Sequence, residues 1–191
     1  MIYYWIREYF ADINEDDVSI SDDKMKIQHL GNRNKWSNTN FGNIEIDSMC
    51  NNIYKWKLKV TARDKKLGEK VLISLGISSG TNKAIVFPRE KNAIFYGFNC
   101  GLKYRRDRRE TKESMLNFEH ELYAKDLNCG DIIEIILDLQ QSFISLIINE
   151  KNYGVAFDDV ESNENLKYRL AVSFCDKDVS VELLDFEIMY H

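Results

Sequence analysis

Two β-prone runs, Ile132–Leu139 and Phe143–Ile148, are parted only by the polar break Gln140-Gln141-Ser142. A break that short between two apolar runs predicts a hairpin of paired strands. Both runs carry apolar residues at adjacent positions as well as alternating ones, the pattern of strands covered on both faces, so the hairpin is expected in the middle of a sheet. Beyond it the sequence predicts a connector over Tyr153–Val160. A second hairpin is expected from Tyr168–Phe174 and Val179–Phe186 about the turn Asp176-Lys177-Asp178.

The order of these signals resembles the SPRY domain. Gly130-Asp131 opens a strand, Leu137-Asp138-Leu139 closes it, and Ser145 to Asn149 forms the next. Gly154-Val155-Ala156-Phe157, Tyr168-Arg169-Leu170-Ala171-Val172-Ser173 and Val179–Leu184 complete the pattern. The resemblance covers roughly residues 18–186 and implies an all-β fold, a two-sheet antiparallel sandwich of the SPRY/concanavalin-like jelly-roll type. The further stretches of the longer B30.2 form are missing, so the chain is similar to a plain SPRY domain without the PRY part. The Trp that carries short-peptide recognition in SOCS-box SPRY proteins is also missing, its turn being Phe174-Cys175-Asp176-Lys177 here.

Upstream the chain divides into residues 1–17, a short helix with an acidic link, and a sandwich over 18–191. Ile2, Trp5, Ile6, Tyr9 and Phe10 recur at helical spacing, which predicts one apolar helix face that packs on the sandwich or docks into another subunit. Val18-Ser19-Ile20, the turn Ser21-Asp22-Asp23 and Lys24–Leu30 read as a hairpin with Met25 and Ile27 on one face. A polar loop, Gly31–Asn40, precedes a strand over Phe41–Met49. Tyr54–Val60 alternates most cleanly, with Tyr54, Trp56, Leu58 and Val60 on one face and Lys55, Lys57 and Lys59 on a solvated one. Val71, Ile73, Leu75 and Ile77 mark the next strand, Asn82–Asn92 a loop about Phe87-Pro88, and Ala93–Phe98 another strand. Asn99–Cys129 is the least strand-like region, read as a long loop about Lys103–Arg109.

Composition bounds the function. The 191 residues suit one domain, and 44% hydrophobic with 30% charged content describes a globular chain. A net charge of −5 argues against general nucleic-acid binding. No apolar run approaches 20 residues, so no membrane span is expected, and the N-terminus lacks the features of a signal peptide. Cys50, Cys100, Cys129 and Cys175 form no close pair; reduced, structural thiols in an intracellular protein are expected, with no metal and no cofactor. His29, His120 and His191 have no metal or catalytic spacing, and Gly76-Ile77-Ser78-Ser79-Gly80 lacks the ending of a phosphate loop. The expectation is a chain that is not an enzyme.

The SPRY resemblance implies a partner held by loops gathered at one end of the sandwich. Those loops carry Trp36, Phe87 and Tyr104 among Arg33, Arg89, Arg105, Arg106, Arg108 and Arg109, with Asp176 and Lys177 in the last turn. Aromatic anchors ringed by arginines suit an acidic or phosphorylated peptide or protein surface. A solvated loop whose arginines pair with nearby glutamates is the simpler reading of the basic run, and Trp36 is as readily a buried anchor. Two other functions stay open: a constitutive structural subunit of a large assembly, and lectin-like carbohydrate binding.

Overall fold

The computed structural model describes residues 3–6, 18–31, 40–79, 94–107 and 119–190. In chain order the strands are β1 (Trp5–Ile6), β2 (Val18–Ile20), β3 (Lys26–His29), β4 (Asn40–Gly42), β5 (Ile46–Asp47), β6 (Ile53–Ala62), β7 (Ile73–Ser78) and β8 (Ile94–Asn99). They continue as β9 (Leu102–Asp107), β10 (Glu119–Leu122), β11 (Ile132–Asp138), β12 (Phe143–Ile148), β13 (Lys151–Phe157), β14 (Lys167–Phe174) and β15 (Val179–Met189). Among the described residues they form two antiparallel sheets. The first runs β1-β4-β14-β7-β8-β9-β10 with β5 also on β14; the second runs β13-β12-β11-β6-β15-β3-β2.

The alternation seen in the sequence becomes the core. On β6, Tyr54, Trp56, Leu58 and Val60 are buried while the lysines between them stay on the outer face. Ile133, Ile135 and Leu137 of β11 stand beside them in register, and Ile73, Leu75 and Ile77 of β7 with Tyr168, Leu170, Val172 and Phe174 of β14 supply the opposing layer. Each fully buried aliphatic side chain contributes about 1.5–3 kcal/mol relative to exposure. The lysine row is not merely solvated. Lys55 and Lys57 reach Glu134 at 2.9 and 3.2 Å. Burial pushes the Glu134 carboxyl up, but hydrogen bonds from the two lysines outweigh it and hold it below its usual range.

Four expectations are corrected. The hairpin β11–β12 forms as read, from Ile133↔Ile148 to Asp138↔Phe143, but only its inner face is fully buried, and Ile132, Glu134 and Ile136 face outward half-covered. Strands buried on both faces are instead β7 and β8, and the second face of β7 is made of Ser74, Gly76 and Ser78, small enough for close covering. The span 153–160 is not wholly a connector, because β13 pairs with β12 as the edge of the second sheet. Tyr168–Phe174 and Val179–Phe186 are not a hairpin. β14 joins β7 in one sheet and β15 pairs with β6 along Val179–Met189 in the other, so Asp176-Lys177-Asp178 is an arch across the sandwich. Their apolar faces meet across the core, which a flat hairpin would forbid.

The fourth correction is at the N-terminus. The helix expected over Met1–Phe10 is not seen: Tyr3 and Trp5 point inward, Tyr4 between them is half-buried, and β1 pairs with β4 through Trp5↔Gly42. A period of two therefore replaces the helical period over residues 3–6, and the other residues of that reading lie outside the described ones. The strand read over Phe41–Met49 is split into β4 and β5, both on β14, and Asn43 at the break accepts the Tyr4 amide on Oδ1 at 2.8 Å.

Gly76 stands opposite Gly97 in the β7–β8 pair. A Cβ on Gly76 would lie 2.0 Å from the Tyr96 carbonyl oxygen and 2.8 Å from Gly97 Cα, both backbone atoms that cannot swing aside. Gly76→Ala is therefore expected to cost about 3 kcal/mol, the upper range for overpacking, read as a lowered urea midpoint; an unchanged midpoint would contradict this packing.

Candidate functional site

The basic run Lys103–Arg109 is where the sequence concentrates cations, and its first part is a strand rather than a loop. Cys100 and Gly101, at φ 50° and 76°, form a tight two-residue turn, the geometry that suits strand twist. β9 is thereby laid on β8 from Asn99↔Leu102 to Ile94↔Asp107, and β10 covers its other side. The Gly101 turn between β-prone segments was the signal available for this hairpin.

Register decides what the cations face. Lys103 stands opposite Phe98 and Arg105 opposite Tyr96, two residues that belong to the core. The two cations thus lie on the inner face of the first sheet, near its open edge. There they meet the end of β13 and the chain beyond it. A groove of about 230 Å³ runs between the two sheets, lined by Lys103, Arg105, Glu121, Ala156, Phe157, Asp158 and Asp159.

The cations rest on rings. The Arg105 guanidinium carbon is 5.4 Å from the centre of the Tyr96 ring. Lys103 Nζ lies 5.7 and 5.9 Å from the centres of Tyr123 and Phe157. Each is also paired with an acid: Lys103 Nζ is 2.9 Å from Glu121 Oε2, and Arg105 Nη1 contacts Asp159 Oδ2. The acids are the loosely held members, with side chains 70% and 58% exposed against 21% and 30% for the cations.

Tyrosines fix the groove walls. Tyr123 donates its hydroxyl to the Gly154 carbonyl at 2.5 Å, and burial pushes its phenol up to about 12. Tyr96 accepts the Glu161 amide on its hydroxyl at 3.1 Å, and Tyr168 donates to the Glu161 carbonyl at 2.6 Å. Burial holds the Tyr96 phenol above its ordinary range as well. These bonds tie the segment after β13 to the first sheet, so Asp158 and Asp159 are carried on a braced backbone.

Among the described residues expected to bind a partner, Arg105 is on the groove lining. Tyr104 and Arg106 occupy the alternate register positions of β9, opposite Gly97 and Phe95. Asp176 is turned inward: its Oδ2 accepts Lys65 Nζ at 2.6 Å and the Leu72 amide at 2.9 Å, and its carbonyl lies 2.8 Å from His29 Nδ1. Lys177 is exposed on the same arch. Arg33, Trp36, Phe87, Arg89, Arg108 and Arg109 lie outside the described residues. The strand register nevertheless places the points where their segments join. Asn40 enters beside Val172, at the end of the first sheet that holds Asp176. Ser78, Ile94 and Asp107 lie together at the opposite end. Phe157, Asp159, Glu121 and Tyr123 were missed as groove residues, because nothing local in the sequence says that β13 closes against β9.

Among the described residues no group of three or more His, Cys, Asp or Glu could hold a metal ion, and Cys50, Cys100, Cys129 and Cys175 form no disulfide.

No protein-family model matches the sequence, and no curated protein matches it. Solved structures do. The SPRY domain of human HERC1 aligns over 88% of this chain and 92% of its own at 15% identity, with a TM-score of 0.59. The TRIM65 PSpry domain aligns over 89% and 85% at 10% identity, TM-score 0.55. The carbohydrate recognition domain of Emp46p in a potassium-bound form aligns over 91% and 86% at 11% identity, also at 0.55. The fold is that of a SPRY sandwich, which is close in architecture to a lectin sandwich.

Proposed function

We propose that this chain is a non-enzymatic, intracellular protein-interaction module that holds an acidic or phosphorylated peptide or protein surface in the groove between the edges of its two sheets. The observation that carries this reading is the asymmetry of the ion pairs. Lys103 and Arg105 are immobilised on Phe157, Tyr123 and Tyr96, while the acids beside them reach into water. Ordered cations on aromatic supports lose little entropy on binding, which favours recognition by a preformed surface. The SPRY fold and the free cysteines support the same reading.

The test is a peptide-library selection on the wild type and on a variant with Lys103→Ala and Arg105→Ala, both checked for an intact melting transition. Acid-rich peptides are expected from the wild type, with binding that weakens at high salt and falls at least about tenfold in the variant. Peptides that bind both proteins alike, or no enrichment at all, would overturn it.

A second reading has its own observation. The outer face of β11, β12 and β13 carries Ile132, Ile136, Phe143, Ile147 and Val155 partly exposed, an apolar stripe suited to a constitutive place in a larger assembly. A salt-resistant, stoichiometric complex in the source cell that is lost on Ile136→Lys would favour that reading. The likeness to the Emp46p domain keeps carbohydrate binding as a third, which a glycan array with no hits would remove.

A further inference from the structure

Arg105 meets Asp159 end-on, through Nη1 and a single carboxylate oxygen. Lys103 lies two residues back on the same face of β9, roughly 6.7 Å along the strand. The chain itself supplies a matching partner. β10 is laid antiparallel on β9 with Glu121 opposite Lys103 and Glu119 at the register position opposite Arg105, so acids and cations hold matching alternate positions along the two strands.

From this we infer that the groove takes an extended acidic segment with carboxylates two residues apart, and that Asp159 and Glu121 are built-in competitors for its two cations. This rests on the reading given under Proposed function. One incoming carboxylate takes Arg105 from Asp159, and the next takes Lys103 from Glu121. The extended form follows from the spacing: residues two apart on an extended chain lie on one side of it, as the two cations do on β9. Asp158, Asp159 and Glu121 outnumber the two cations in the groove, so an acidic segment enters against a negative shield. The shield costs little to move, because the two paired acids are already more than half in water. Affinity is therefore set low, and neutralising Asp159 raises it.

Fluorescence anisotropy on the full chain tests this with two labelled dodecapeptides of equal composition. One alternates Glu and Thr; the other places the same residues in pairs, so that no two glutamates are two positions apart. The alternating peptide is expected to bind more tightly to the wild type, to gain about three- to fivefold on Asp159→Asn, and to lose tenfold or more on Arg105→Gln. A gain on Asp159→Asn cannot come from damage to the fold, which guards against a destabilised Arg105 variant. Equal binding of the two peptides, or unchanged or weaker binding by Asp159→Asn, would overturn the inference. If library-selected peptides still depend on Lys103 and Arg105 while the alternating probe fails, the spacing is wrong and the groove stands; if no selected peptide depends on them, the groove reading itself falls.

Discussion

Trp5→Ala is expected to lower stability by about 3–5 kcal/mol, the range for removing a large aromatic from a core. Trp5 is 1% exposed. Its indole Nε1 donates to the Met25 carbonyl at 3.1 Å and its amide donates to the Lys24 carbonyl at 2.9 Å. Both acceptors belong to the turn leading into β3 of the second sheet, while the backbone of Trp5 pairs with Gly42 of the first. One residue thus closes the sandwich on the side away from the groove. Alanine would leave a cavity between the sheets and the Met25 carbonyl without its donor. In a chain of this size the loss corresponds to a fall of roughly 10 °C in Tm. Differential scanning calorimetry with a matched urea titration measures both. A cost under about 1 kcal/mol, the range of a surface substitution, would contradict the placement of Trp5 between the sheets.

The second large effect is expected at Asp131, which is 4% exposed at the start of β11. Its Oδ1 accepts Lys125 Nζ and Asn149 Nδ2, both at 2.7 Å, and its Oδ2 accepts the Asn128 amide at 2.8 Å. Asn149 in turn accepts the Ile132 amide at 2.9 Å. This network joins the start of β11 to the end of β12 and explains physically why Gly130-Asp131 and Asn149 recur together in the pattern read from the sequence. Asp131→Ala would leave three donors, on Lys125, Asn128 and Asn149, without their shared buried carboxylate and is expected to cost about 3 kcal/mol. Asn149→Ala should cost less, about 1–2 kcal/mol, because it removes only part of the network. The double variant is expected to cost less than the sum of the two, since they share one bond. Additive effects in urea titrations of the two single variants and the double variant would show that Asp131 and Asn149 act separately.

Much of the strand layout was legible because a strand's inward face is written into its sequence with a period of two. Tyr54–Val60 and Val71–Ile77 show it plainly, and the hairpin of β11 and β12 followed from a short polar break. The candidate site was legible only in its charge. The run from Lys103 to Arg109 marked the place, yet Arg105 was read with loop residues, and the rings under Arg105 (Tyr96) and Lys103 (Tyr123 and Phe157) went unnoticed because they come from other strands of the chain. Asp176 shows the converse: a turn residue with a free-looking carboxylate is turned inward to Lys65 and Leu72.

The sequence by itself determined the long central strands such as β6, β7, β11 and β12, which of their faces are apolar and where the first hairpin turns, because these depend on local periodicity and turn chemistry. Only the tertiary structure decided that β14 and β15 part into opposite sheets, that Trp5 is drawn into the core as a strand, and that Lys103 and Arg105 open onto a groove. Those outcomes rest on which strand finds which partner, and backbone hydrogen bonds are alike for every candidate partner. The choice is made by how whole faces pack across the core, a property that no single stretch of sequence contains.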